Sequence, residues 1–245
     1  MSNPLFEEQI KSGFIYLPMI RLHMAGLTII TFLVFLFYPS QSISYYLARS
    51  VKPEMFNIAL YTVLAFISYL TVKTTVFSIQ NVIVISIKDW FLYTKISVGT
   101  YLWGRISYGL FYTTFLILLF LPVILVSASV SAVGPANILA IILMIYLFIL
   151  ILFFLGLLFY TFFRKQHWVL TLLIWVVVIL ILIISPYIFP LNHPTVLLSR
   201  LQVSTDLSSD LMIPLKVSLI SITALIFSSW LSIFLYKRSL NVKKG

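Results

Sequence analysis

The groups in this chain that could carry acid–base or metal chemistry are few and scattered. Its histidines are His23, His167 and His193, its carboxylates are Glu7, Glu8, Glu54, Asp89, Asp206 and Asp210, and it has no cysteine. A metal site needs several ligands converging on one ion, and general acid–base catalysis needs a group placed within hydrogen-bond reach of the reacting atom. No spacing here supplies either. The chain has no H-E-x-x-H, no G-x-S-x-G and no phosphate-cradling G-x-x-x-x-G-K-S/T. The sequence therefore predicts no catalytic residue, no metal ligand and no cofactor held by the chain itself. The nearest approach to a catalytic group is His193 with Asn192 or Asp206. A membrane enzyme or assembly factor acting on lipid-linked substrates, the alternative reading, would have to be built on these.

Two other features could act on a ligand or a partner. Lys73 stands at the end of an apolar run. At the bilayer centre a lysine costs about 2.5–3.5 kcal/mol on insertion scales. Its stem can snorkel toward water, or its charge can serve a conduit or a gate. The second feature is the stretch Lys88, Asp89, Trp90, Phe91 and Tyr93, closed by Lys95. As a short helix it places Ile87, Trp90, Phe91 and Thr94 on one side. Such an aromatic face can dock into a groove of a soluble partner, or lie in the membrane interface anchored by Trp90 and Tyr93. The spacing fits both.

The elements that must position these residues follow from composition. Of 245 residues, 62% are hydrophobic and 9% charged, against about 25% charged in an ordinary soluble domain. A bilayer solvates such a chain and water does not. Lipid leaves only helices or closed barrels, because nothing else satisfies the backbone there. The apolar runs are long and do not alternate, so the expectation is an all-α integral membrane protein forming a single transmembrane domain over 1–245. A spanning helix needs roughly 20 apolar residues. The uncharged stretches place spans at about 20–38, 56–78, 106–130, 137–162, 168–185 and 214–236. No charge falls between Arg105 and Arg164, and Gly134-Pro135 supplies the turn that divides that stretch. The first run follows Glu7, Glu8, Lys11 and Arg21 and has no convincing cleavage site, so it reads as a retained span.

Six spans put both termini on one side. With that side cytoplasmic, only four of the 16 basic residues, Arg49, Lys52, Arg200 and Lys216, fall outside, which is the bias that orients membrane proteins. The net charge of +10 then belongs to loops facing anionic lipid rather than to a nucleic-acid surface. Residues 1–18 mix Glu7, Glu8 and Lys11 with Leu5, Phe6, Ile10 and Phe14, as an amphipathic helix at the interface does. Residues 79–105 form the long cytoplasmic connection, and residues 186–213, with Pro186, Pro190 and Pro194, form the outer segment.

One stretch resembles a known family. Lys95-Ile96-Ser97, then Leu102-Trp103-Gly104-Arg105, then Leu121-Pro122 are similar to the Pro-Ile-Ser, Leu-Leu-Gly-Lys and Leu-Pro patterns of type-2 ABC exporter permeases. The six-span layout and amphipathic start fit as well. The family's acidic-glycine-threonine pattern has only Asp89 here, with no glycine following. The resemblance implies a permease subunit in the cell membrane, here the bacterial cytoplasmic membrane, moving cargo outward. Its partners would be ABC ATPase subunits, which bind the ATP and magnesium, and a second permease chain, identical or related. Lys88, Asp89, Trp90, Phe91 and Tyr93 would form the coupling contact with the ATPase. The apolar, aromatic and hydroxyl-rich spans favour an amphipathic or hydrophobic cargo: a peptide, a lipid-like molecule or a drug.

Overall fold

The computed structural model describes residues 3–15, 17–39, 55–77, 96–131, 133–162, 172, 176 and 212–241. Among them every regular element is a helix and none is a strand. Helix α1 spans Pro4–Ile10 and runs into a π-helical turn, Lys11–Ile15. Then come α2 (Leu17–Leu36), α3 (Met55–Phe77), α4 (Val98–Val130), α5 (Pro135–Phe162) and α6 (Met212–Asn241). Five of these, α2 to α6, are long and apolar enough to cross a membrane, which makes this a multi-pass membrane protein. The expected span at about 168–185 lies outside the described residues except for Leu172 and Val176.

Helix α4 begins at Val98, ahead of the expected 106, so the last residues of the anticipated connection are its opening turns. Its 33 residues reach about 50 Å at 1.5 Å per residue, against a hydrocarbon thickness of about 30 Å. Ser97 caps it, with Oγ accepting from the Thr100 N–H at 3.1 Å, as short polar side chains do at helix starts. Pro122 sits inside without ending it, which is tolerated in membrane helices where neighbours support the freed carbonyl. Between α4 and α5 the chain turns at Gly134, and Pro135 opens α5, where its missing N–H costs nothing. Ser131 Oγ in this turn accepts from the Phe56 N–H at 3.3 Å, tying the start of α3 to the α4–α5 corner.

Helices α3, α4 and α5 pack on one another, α2 lies against α3 and α4, and α6 lies mainly against α5. The interior is apolar, with Ile67, Leu70, Leu116, Phe120, Ile141 and Ile149 fully buried. Lipid is as apolar as leucine, so close packing rather than water exclusion holds such helices together. Two glycines make that packing possible. A Cβ on Gly26 of α2 would lie 1.9 Å from the Phe66 ring of α3, and one on Gly109 of α4 would lie 2.6 Å from the Phe153 ring of α5. Several hydroxyls inside the helices bond to their own backbone: Ser68 Oγ to Leu64 O (2.6 Å), Thr74 Oγ1 to Leu70 O (2.9 Å) and Thr62 Oγ1 to Ile58 O (2.7 Å). This satisfies groups that lipid would otherwise strand.

Candidate functional site

The site is built where α1 lies across the opening turns of α4. Asn3 caps α1: its Oδ1 accepts from the Leu5 N–H at 3.1 Å, while its Nδ2 donates to the Thr100 carbonyl at 2.9 Å. One residue thus starts α1 and pins it to α4. Gly104 is the seat. A Cβ there would meet the Asn3 carboxamide at 3.1 Å and the Leu5 Cβ at 3.2 Å. Next to Gly104, Arg105 is 1% exposed, and Gln9, one turn beyond Leu5, is 4% exposed. With its carboxamide oriented by these donors, the Gln9 oxygen accepts from Arg105 Nε at 3.1 Å and Nη1 at 3.0 Å. Arg105 Nε also lies 3.4 Å from the Tyr101 hydroxyl, and the guanidinium sits 5.8 Å from the centre of the Tyr101 ring. A buried cation needs such partners, and the planar guanidinium can serve several at once.

An aromatic joint continues the contact. Phe14, in the π-helical turn, packs edge-on against Phe111, Tyr112 and Phe115 of α4, at 5.5, 5.6 and 4.7 Å. It also stacks on His23 of α2 at 6.5 Å. His23 Nδ1 lies 2.6 Å from the Met19 carbonyl, and Nε2 lies 2.9 Å from the Tyr112 hydroxyl. A carbonyl can only accept, so Nδ1 carries the proton. In the neutral ring Nε2 then accepts from Tyr112 O–H. Three elements, the N-terminal segment, α2 and α4, meet at this one histidine. Nothing in the arrangement resembles a catalytic triad or a metal centre, and among the described residues no group of histidines and carboxylates could hold a metal ion.

The residues singled out from the sequence fare unevenly. Lys88, Asp89, Trp90, Phe91 and Tyr93 lie outside the described residues, as do His167, Asn192, His193 and Asp206. Lys73 is in the last described turn of α3, half-buried, and its Nζ donates to the Tyr69 hydroxyl at 3.5 Å while lying 5.6 Å from the centre of that ring. Tyr69 is one turn nearer the middle of α3, so the ammonium lies back along the helix over that ring. A helical side chain points toward the N-terminus of its helix, as this one does.

Arg105, the last residue of the expected connection, lies in the opening turns of α4 as a buried anchor. Gln9 was missed, because a glutamine on a seven-residue helix carries no signal until its partner is known. Trp103 is 67% exposed, while Tyr101 is fully buried beside Arg105. Comparison with family models, with curated proteins and with solved structures gives no match for this chain.

Proposed function

We propose that this chain is the membrane-spanning permease subunit of an ATP-driven ABC exporter, with no nucleotide-binding motif of its own. The observation that carries the reading is the docking of α1 on residues 97–105. That is the stretch where the resemblance is densest, and its members have separate tasks there. Ser97 caps α4, Gly104 seats Leu5, and Arg105 binds Gln9. The connection from α3 enters α4 at this place. A push on residues 79–97 from a soluble partner therefore meets α4 where α1 also holds it.

In this reading the chain has six spans, both termini lie in the cytoplasm, and α1 lies in the inner interface of the bacterial cytoplasmic membrane. The surplus length of α4 then projects on the cytoplasmic side. Two such permease chains, identical or related, form the conduit with two ATPase subunits, and ATP and magnesium are bound by the latter. The spanning helices α2 to α6 carry no aspartate or glutamate. Proton- and ion-driven carriers place such groups at membrane depth, so a borrowed energy source suits this chain better. The cargo is amphipathic or hydrophobic: a peptide, a lipid-like molecule or a drug.

The test is co-purification of the tagged chain with an ATPase encoded alongside it, followed by transport in proteoliposomes. Stoichiometric ATPase and ATP-dependent export are expected. Transport that runs with no ATPase bound would overturn the proposal. Asp89→Arg and Trp90→Ala are expected to uncouple hydrolysis from transport without preventing insertion.

A further inference from the structure

We propose that α1 is a releasable strap, and that the Tyr108 hydroxyl receives the Arg105 guanidinium when the strap lifts. The proposal rests on the permease reading above only for its use: freeing the start of α4 when the connection before it is pushed.

The strap is lightly held. Of the α1 side chains described, Leu5 and Gln9 are buried, Phe6 and Ile10 are half-buried and Glu7 is exposed. Its ties to α4 are the Asn3–Thr100 bond, the seat at Gly104 and the Gln9–Arg105 pair. One buried apolar anchor and a few hydrogen bonds on a seven-residue helix put it at the low end of local stability. The chain beyond it is firmer. Phe14 is fixed among the rings of Phe111, Tyr112, Phe115 and His23. The π-helical turn that leads to it contains Gly13, and such turns occur often at functional places in helices. Residues 3–10 can lift about this turn without disturbing the aromatic joint.

Lifting has one large cost. Gln9 leaves Arg105, and a guanidinium that loses a partner in a buried place is strongly destabilised. Tyr108 lowers that cost. It is fully buried, and its hydroxyl has no hydrogen-bond partner among the described residues, an uncommon state for a buried polar group. It stands three residues after Arg105 on α4, where side chains are neighbours, and helical side chains lean back over the preceding turn. The guanidinium charge already acts on this hydroxyl. Stacking on Tyr112, at 5.6 Å and 12° between planes, holds the ring in place. In the docked state Arg105 Nε and Nη1 donate to Gln9. In the lifted state that donation passes to Tyr108 Oη, while Tyr101 keeps its place because it belongs to the same helix. No proton is transferred. The unbonded hydroxyl is the second position of a two-position switch.

The experiment uses the full chain alone in phosphatidylcholine nanodiscs, so a failure to pair with an ATPase leaves the readout untouched. Hydrogen exchange over residues 5–10 reads how often α1 lifts. Tyr108→Phe removes an unbonded hydroxyl from the docked state and an acceptor from the lifted one. It is expected to slow that exchange about ten-fold, the worth of one hydrogen bond to a charged group, whereas loss of a structural contact would speed it. The second readout is the Arg105 Nε resonance in arginine-labelled protein. Adding Tyr108→Phe should leave it unmoved in the wild type and shift it in Gln9→Ala, where the guanidinium has lost its Gln9 acceptor. Unchanged or faster exchange in Tyr108→Phe overturns the proposal. So does an Nε shift of equal size in both backgrounds, or in neither, since the hydroxyl then acts independently of the strap.

Discussion

The Gln9 carboxamide oxygen takes two hydrogen bonds from the Arg105 guanidinium, at 3.1 and 3.0 Å, and both side chains are buried. The pair joins a seven-residue helix, too short to be stable alone, to α4, the longest of the described helices. The docking of α1 therefore depends on a few named contacts, and each can be removed separately.

Gln9→Ala should loosen α1 by about 1.5–3 kcal/mol, the worth of hydrogen bonds to a charged group. It leaves the guanidinium short of an acceptor in a buried place. Adding Arg105→Met to Gln9→Ala should recover part of the loss, since removing both partners costs less than stranding one charge. A double-mutant cycle on thermal unfolding in detergent, with hydrogen exchange over residues 4–10, checks this. Additive single effects would show that the two residues do not interact.

Gly104→Ala should be nearly tolerated and Gly104→Leu should not. An alanine Cβ meets the Asn3 carboxamide and the Leu5 Cβ at just over 3 Å, a crowding that small shifts relieve. A leucine fills the seat of α1. The expected outcome is loss of exchange protection in residues 4–10 with the spanning helices still protected. Unchanged protection of α1 in Gly104→Leu would place its anchorage elsewhere.

Tyr112→Phe keeps the aromatic packing around His23 but removes the hydroxyl 2.9 Å from Nε2. A buried acceptor left unmet costs about 1–3 kcal/mol. Nitrogen NMR of the histidine-labelled protein should show a neutral ring protonated at Nδ1 in the wild type. A ring protonated at Nε2 would contradict the bond to the Met19 carbonyl.

Gly26→Ala should be the most damaging of the single-methyl additions, because its Cβ would fall inside the Phe66 ring. Overpacking of this kind costs about 1–3 kcal/mol. Phe66→Ala in the same chain should restore the approach of α2 to α3, at the expense of the ring's edge-on contact with Phe120 at 5.7 Å. Thermal stability of the two single variants and the double variant measures the rescue. A double variant no better than the worse single one would mean that the two side chains act on separate interfaces.

What the sequence determined alone is local. Hydropathy over a window of about 20 residues finds spanning helices, so α2, α3, α5 and α6 lie close to where the uncharged runs put them. The Gly134-Pro135 turn was legible for the same reason, since both residues act on their own backbone. The start of α4 was not, because the charge of Arg105 reads as the boundary of a span, whereas the helix extends back to its cap at Ser97. What only the tertiary structure decided is which polar side chains are buried and by whom. His23 and Tyr112 are 89 residues apart in the chain, and Gln9 and Arg105 belong to different helices. Neither bond leaves a periodic trace, for a hydrogen bond across a fold depends on how helices are brought together. That in turn rests on glycines such as Gly26 and Gly104, whose role is visible only when the neighbour that fills their missing side chain is in place.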